Sequence, residues 1–325
     1  MAKVHQPRHG SMQYWPRVKA KRQYATVGSW TTTSKDALLG FMGYKVGMTH
    51  IMGIDTRKTA ATKGEEIFVP VTVIECPPLK IVGIRLYKET YHGKQPATEI
   101  LFKVDKDLLR KITQQKVHKD ASELDKLNIN DYTDVQALVY TQPRFAGIGK
   151  KRPELFEVAL NGSIADKIKF VKDNHDKELP FNTFFKDGEY VDVHAVTKGK
   201  GLQGPVKRFG VTFKNHKTEK GVRRVGTLGG WSGQGHFLYR VAHPGQMGYH
   251  LRTEFNKQIM KVGTKPEEVN PKGGWPHYGL VKSTFVLIKG SIAGPQKRAI
   301  ILTKPMRTRA MDSIPTITEI SLGAK

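Results

Sequence analysis

The sequence is poor in cysteine and has no long apolar run. Cys76 is its only cysteine among 325 residues, which excludes an internal disulfide and a multi-cysteine metal site and fits a reducing compartment. No segment approaches the roughly 18 apolar residues of a membrane span, and no apolar stretch follows the basic N-terminus. Neither secretion nor membrane insertion is predicted. The surrounding VTVIECPPL predicts that the Cys76 thiol is buried at a strand end.

Acidic residues are also scarce, and they are distributed unevenly. The chain has 54 Lys and Arg against 29 Asp and Glu, a net charge of +25 and an isoelectric point near 9.9. Residues 1–35 contain no acid, and residues 194–261 contain 13 Lys and Arg against only Glu219 and Glu254. Residues 99–192 hold 17 acids and 16 bases. The two basic segments therefore predict arms that bind nucleic acid, and the near-neutral section is expected to face solvent or protein.

Short β-branched segments bounded by Gly or Pro predict a mainly β fold. Their spacing suggests a small barrel. The predicted strands are Ile67–Glu75, Ile81–Tyr87, Gln136–Thr141, Glu154–Leu160, Tyr190–Val196, Ser283–Lys289 and Arg298–Thr303.

Helical patterns are confined to the near-neutral section, which reads as an α+β insert. Apolar residues recur at helical spacing over Asp105–His118, and Ser163 with Asp166 forms the pattern of a capping box before a second helix. The predicted organisation is a basic N-terminal extension at 1–36, a first barrel part at 37–98, the helix-containing insert at 99–189 and a second barrel part at 190–325. The second part includes a basic, glycine-rich internal loop at 197–261.

The basic segments carry aromatic side chains on a glycine-rich backbone. Lys and Arg neutralise phosphates, and Trp, Tyr and His can stack on unpaired bases of RNA. A tryptophan in a β protein usually lies in the core, but four glycines within seven residues around Trp231 favour an exposed tip. The candidate RNA-binding residues are Arg8, His9, Trp15, Arg17, Lys19, Lys21, Arg22, Lys198, Lys200, Lys207, Arg208, Arg223, Arg224, Trp231, Arg240, His250, Arg252 and Lys257.

Patterns that would indicate an enzyme are weak. Gly199–Gly204 has the G-x-G-x-x-G spacing of a nucleotide loop, but Pro205 and Gly210 predict that the helix required to hold a pyrophosphate is missing. The histidines at 236, 243 and 250 lack the partners of a zinc site. We therefore predict no catalytic residue, no metal, no cofactor and no small-molecule substrate. An RNA-modifying enzyme with a nucleotide in this loop, and a general nucleic-acid chaperone, remain the alternatives.

Several motifs, in order along the chain, resemble the large-subunit ribosomal protein L3 family in its archaeal and eukaryotic form. They are Pro7–Ser11, Trp15–Arg17, Gly40–Thr49, Val196–Gly201, Lys207–Gly210, Gly245–His250 with Arg252 and Thr253, Gly273–Gly274 and Ile288–Ser291.

The resemblance implies a translation-protein-type six-stranded β-barrel with long basic extensions that bind 23S-type ribosomal RNA. It also implies a non-catalytic structural role in the cytoplasmic large subunit, early participation in its assembly, and neighbouring ribosomal proteins as partners. Finally, it implies that a loop tip formed by Gly230, Trp231 and Ser232 approaches the peptidyl transferase centre and orders RNA there.

Overall fold

The computed structural model describes residues 17–31, 37–113, 121–126, 128–238, 241–307, 310 and 312–323. Two compact units are formed. The first comprises Met1–Gln23 and Val196–Arg252, and the second comprises Tyr24–Ala195 and Thr253–Lys325.

Strands dominate the described residues, and helices are few. The strands are β1 (Gly40–Ile54), β2 (Glu66–Glu75), β3 (Leu79–Thr90), β4 (Gly93–Leu101), β5 (Asp134–Thr141), β6 (Leu155–Ala159), β7 (Glu178–Leu179), β8 (Tyr190–Val196), β9 (Leu202–Gln203), β10 (Gly245–Gln246), β11 (Leu251–Gly263), β12 (Phe285–Lys289), β13 (Ala299–Thr303) and β14 (Thr316–Ile320). The α-helices are α1 (Ile164–Asn174) and α2 (Pro205–Phe209). Short 3-10 helices lie at Leu108–Arg110, Ala121–Lys126, Ile129–Asp131, Pro143–Phe145, Phe181–Thr183, Ser232–Gln234 and Pro266–Glu268. The mainly β prediction is confirmed.

The larger sheet has seven strands in the order β13-β8-β11-β12-β2-β1-β14, and β13 also pairs with β1. Strand β1 is long because its first part pairs with β13, through Gly40↔Thr303, and its last part pairs with β14, through Ile54↔Thr316. Its inward side chains, such as Phe41 and Ile51, are fully buried.

A second sheet has the order β4-β3-β5-β6, with β7 paired to β3. The first strand of this sheet along the chain is β3, which begins at Leu79, whereas the insert predicted from the sequence begins at residue 99. Helix α1 contacts β5 and β3, and it starts as predicted. The hydroxyl of Ser163 accepts a hydrogen bond from the Asp166 amide at 3.2 Å, and the Asp166 carboxylate accepts one from the Ser163 amide at 3.2 Å.

The predicted helix over Asp105–His118 is corrected for its described part. Residues 105–113 contain only the 3-10 turn Leu108–Arg110, and residues 114–118 lie outside the described residues. Leu108 is buried against Leu101, Leu138 and Tyr140 of the second sheet. The segment is held against this sheet by Ile112, which packs on the same cluster, and by the Asp105 carboxylate, which accepts a hydrogen bond from the Tyr140 hydroxyl at 2.6 Å.

The seven predicted strands are all present, with bounds shifted by at most three residues. The structure adds seven strands that were not predicted, namely β1, β4, β7, β9, β10, β11 and β14. Glycines interrupt the apolar pattern of β1, and the structure explains two of them. A Cβ at Gly47 would lie 2.7 Å from the ring of Trp275, and one at Gly43 would lie 2.6 Å from Ile74. These positions hold glycine because neighbouring side chains pack directly on the backbone.

The buried carboxylate of Glu75, at the end of β2, holds neighbouring segments by hydrogen bonds. The Glu75 side chain accepts hydrogen bonds from the amides of Gly147 at 2.9 Å, Lys282 at 2.6 Å and Ser283 at 3.0 Å, and from the Tyr278 hydroxyl. Burial, followed by this carboxylate, raises the pKa of Tyr278. The adjoining Cys76 is buried, as predicted, and burial raises the pKa of its thiol.

Candidate nucleic-acid interface

The N-terminal segment of the smaller unit is hydrogen-bonded to the chain before β11. The Ala20 amide donates to the Tyr249 carbonyl at 2.8 Å, and Nδ1 of His250 lies 2.9 Å from the Val18 carbonyl oxygen. Because a carbonyl can only accept, Nδ1 is the donor in this bond. The two basic segments are therefore joined at residues 18–20 and 249–250, and the His250–Val18 pair is 232 positions apart in the sequence.

A narrow β ladder supports the segment with the G-x-G-x-x-G spacing. Strand β9 pairs with β10 through Gly245↔Gln203, and the Lys200 amide donates to the Met247 carbonyl at 2.9 Å. Gly248 follows with a φ of +72°, and a Cβ on it would lie 2.0 Å from the Lys198 carbonyl oxygen. Only glycine fits this position without displacing the backbone that carries Lys198.

A short helix, α2, follows this ladder, which corrects the expectation that Pro205 and Gly210 leave no helix here. Pro205 occupies the first turn, where its fixed φ suits a helix, and Gly210 ends the helix after five residues with a φ of +66°. Helix α2 places Arg208 at its last turn, where Nη1 donates to the His243 carbonyl at 3.0 Å.

Two arginine side chains pack on the ring of Phe209. The guanidinium of Arg17 lies 4.6 Å from the centre of this ring, and that of Arg208 lies 5.2 Å from it. The buried ring therefore holds together one arginine from each basic segment.

These contacts form a cleft of about 460 Å³ with an entirely non-acidic lining. Five of its side chains are Lys or Arg, and a histidine joins them. The lining residues are Arg17, Thr197, Lys198, Lys200, Arg208, Gln246, Met247, Gly248, His250 and Arg252. A cavity walled by cations without a carboxylate attracts anions.

The rest of the internal loop exposes aromatic rings among cations. Trp231 has a φ of +68° and is 65% exposed, with its carbonyl capped by the Gln234 amide at 3.0 Å. Phe213 is also exposed, and the guanidinium of Arg223 lies 5.0 Å from its ring centre. Gly230 is exposed next to Trp231. Such rings are available to stack on bases.

The remaining candidates fall into three groups. Arg8, His9, Trp15 and Arg240 lie outside the described residues, as does the side chain of Ser232. Lys257 lies on β11 in the larger unit, where it pairs with Glu254 at 3.1 Å and donates to the Ser291 carbonyl. The exposed candidates that do not line the cleft are Lys19, Lys21, Arg22, Lys207, Arg223 and Arg224.

Phe209, Gly248 and Gln246 contribute to the cleft but were not among the residues predicted from the sequence. The side-chain amide of Gln246 donates to the Gly248 carbonyl at 2.9 Å and so stabilises the turn at Gly248.

Within the described residues there is no cluster of three or more His, Cys, Asp or Glu that could hold a metal. Nor, within the same residues, is any helix long and apolar enough to cross a membrane.

One unit of this chain is built on β-sheet and has an apolar core. The other is basic and glycine-rich, with a cationic cleft and exposed rings. Together these features are those of basic β proteins that bind nucleic acid. The family described as Ribosomal protein L3 matches residues 1–321. The chain belongs to this family. It is a structural constituent of the large ribosomal subunit in translation, and it is not an enzyme.

Similar proteins of archaea cover all or nearly all of this chain. The large ribosomal subunit protein uL3 of Methanosphaera stadtmanae is 40% identical over 335 aligned positions, which cover 100% of this chain and 99% of that protein. The uL3 of Methanothermobacter thermautotrophicus is 41% identical, with the same coverage. That of Archaeoglobus fulgidus is 41% identical over 94% of this chain and 93% of its own length.

Proposed function

We propose that the smaller unit binds the backbone of 23S-type ribosomal RNA through the cationic cleft. The observation that carries this proposal is the lining itself, in which five Lys and Arg residues from both basic segments converge without an acid. Phosphate groups spaced along an RNA strand match such a surface, and each neutralised phosphate releases counterions and adds affinity. The exposed cations at Lys19, Lys21, Arg22, Lys207, Arg223 and Arg224 extend the same interface.

The exposed loop around Trp231 is the proposed tip near the peptidyl transferase centre. Its ring is exposed in the free protein and is flanked by Gly230. A flat, exposed ring on a thin glycine-rich loop can enter folded RNA and stack there without a bulky support. On this proposal the tip orders RNA around the catalytic centre, while peptide-bond formation belongs to the RNA.

The larger unit is proposed to be a six-stranded barrel of the translation-protein type. The support is the additional pairing of β13 with β1, which would close the path β1-β2-β12-β11-β8-β13. We also propose a role for each part of the chain predicted from the sequence. The basic extension at 1–36 and the basic internal loop at 197–261 bind RNA in early assembly, and the near-neutral insert at 99–189 faces neighbouring ribosomal proteins. The cytoplasmic subunit is the proposed location.

The cleft is tested by removing its charge. Arg17, Lys198, Lys200 and Arg252 are changed together to Ala, and the matched control changes Lys103, Lys106, Lys169 and Lys177, four exposed lysines of the near-neutral section. Both variants lose four positive charges, so a non-specific charge effect would weaken both equally. We expect the cleft variant alone to lose most of its affinity for 23S-type RNA in filter binding, while circular dichroism shows that both remain folded. Equal binding by the two variants would contradict the cleft assignment.

The chaperone alternative predicts a different competition result. A general nucleic-acid chaperone would exchange between 23S-type RNA and random RNA of the same length, whereas a structural constituent should keep its preference for the ribosomal RNA. Competition at fixed salt measures this preference, because non-specific binding is dominated by charge.

A further inference from the structure

The outer face of β1, β2 and β14 is an exposed apolar surface. Residues directly opposite each other in a sheet share a face, and Met52 lies opposite both Phe68 and Glu319. His50 lies opposite Pro70, and Ile54 lies opposite Glu66 and Thr316. The alternate residues of the same strands, such as Ile51 and Val69, are buried in the core.

Large side chains on this face are in contact with solvent. Phe68 is 60% exposed, Met48 is 47% exposed, and Ile54 is exposed as well. The rings of His50 and Phe68 are 4.5 Å apart between centroids and inclined by 32°, so the two side chains pack against each other on the surface. We define this outer face by Met48, His50, Met52, Ile54, Phe68 and Pro70. Contiguous apolar patches of this kind mark protein interfaces, where Met and aromatic residues are enriched.

The charge of the outer face differs in sign from that of the chain. Glu319 and Glu66 border it, both exposed, and the Thr318 hydroxyl donates to the Glu66 carboxylate at 2.8 Å. Among the described residues paired across these strands from Met48 to Ile54, none is Lys or Arg. In a protein with 25 excess positive charges, such a face repels phosphate and attracts a basic partner.

We propose that the outer face is a docking surface for a basic protein segment, one that places apolar side chains on Met52 and Phe68 and Lys or Arg beside Glu66 and Glu319. The proposal rests on the proposed function to the extent that the partner is a neighbouring protein of the large subunit. It differs from the RNA interface in chemistry, since its centre is apolar and its border acidic. Ribosomal RNA is therefore the occupant that the charge disfavours.

Methionine oxidation tests the face in the complete chain. Dilute hydrogen peroxide is applied to the free protein, to its complex with protein-free 23S-type RNA, and to assembled large subunits, and oxidation of Met48 and Met52 is followed by mass spectrometry. We expect rapid oxidation in the first two samples and oxidation slowed by about tenfold or more in the subunit, because a docked interface centre excludes solvent. Met42, which is fully buried, should stay unreactive throughout and reports that the protein is folded.

The other outcomes overturn the proposal. Protection of Met48 and Met52 by the RNA alone would show that RNA covers the face, and rapid oxidation in the subunit would show that nothing does. RNA binding is measured in the same samples, so failure of the RNA interface appears as lost binding and is separate from either result.

A variant pair completes the test. Phe68→Lys places a like charge against the basic partner and should restore rapid oxidation of Met48 and Met52 in assembled subunits. Tyr91→Lys, at a hairpin tip where the ring is 99% exposed, is the matched control and should leave them protected. Protection that persists in Phe68→Lys subunits would count against docking at this face. Both variants should bind 23S-type RNA as the parent does.

Discussion

Nδ1 of His250 donates a hydrogen bond to the main-chain carbonyl of Val18 over 2.9 Å. The bond joins two basic segments whose like charges repel, and it is accompanied by the main-chain bond from Ala20 to Tyr249. Because His250 is buried, the interaction is shielded from water. Two distant cationic segments thereby become one surface, and the surface can engage one anionic partner.

Salt should weaken RNA binding steeply. With roughly 6 to 10 phosphate contacts, the affinity should fall by about 10³ to 10⁵ between 50 and 200 mM salt. Changing Lys200 to Ala should reduce the slope of log affinity against log salt by about 1, because one phosphate contact is lost. The exposed Lys169→Ala in α1 should leave the slope unchanged. A slope near zero in the intact protein would refute the electrostatic account.

The turn of the cleft should not tolerate a side chain at Gly248. A Cβ there would meet the Lys198 carbonyl oxygen at 2.0 Å, and its φ is +72°. Gly248→Ala should therefore destabilise the smaller unit by about 1 to 3 kcal/mol and weaken RNA binding. Gly204→Ala is the control, since its φ is −72° and no atom lies within 4 Å of the added Cβ. Chemical denaturation and filter binding measure the two effects, and equal behaviour of both variants would contradict the prediction.

Two of the four tryptophans, Trp231 and Trp275, should respond to truncation in opposite ways. Trp231 is exposed, so Trp231→Ala should leave the melting temperature of the free protein unchanged. Its subunits should assemble normally but show altered peptidyl transfer, because a stack worth about 1 to 3 kcal/mol is lost. Trp275 is buried and donates to the Val269 carbonyl at 3.1 Å, so Trp275→Ala should cost about 3 to 5 kcal/mol. A destabilised Trp231→Ala protein with unchanged peptidyl transfer would exclude the tip assignment.

Stability should decrease in mild acid because of His194. Its ring nitrogens lie 3.1 Å from the Thr303 hydroxyl and 3.0 Å from the Thr253 hydroxyl. Burial lowers the pKa of this imidazole, and Asp192 opposes the shift without cancelling it. The unfolded chain therefore takes up the proton first as the pH falls below about 6.5, and the free energy of unfolding decreases until the folded pKa is passed.

Urea denaturation at pH values above and below this range measures the effect. His194→Gln should show a smaller loss of stability in acid than the parent, since it lacks the titrating group. The exposed His92→Gln is the control and should retain the pH dependence of the parent. If both variants keep the same acid response, His194 does not contribute to it.

Local chemistry in the sequence determined much of this protein. The excess of Lys and Arg defined two basic segments, Ser163 and Asp166 predicted the start of α1, and the glycines around Trp231 predicted an exposed ring. Each of these features depends on neighbours within a few residues, so the sequence alone was sufficient.

Only the tertiary structure decided which distant residues meet. Arg17 and Arg208 share the ring of Phe209 because hydrogen bonds between residues 18–20 and 249–250 align their segments. Likewise, Lys257 lies on β11, and the position of this strand between β8 and β12 is not specified by the local sequence pattern. The register between strands is set by contacts across the whole fold. For that reason neither the cleft nor the outer face of β1, β2 and β14 could be predicted from the sequence.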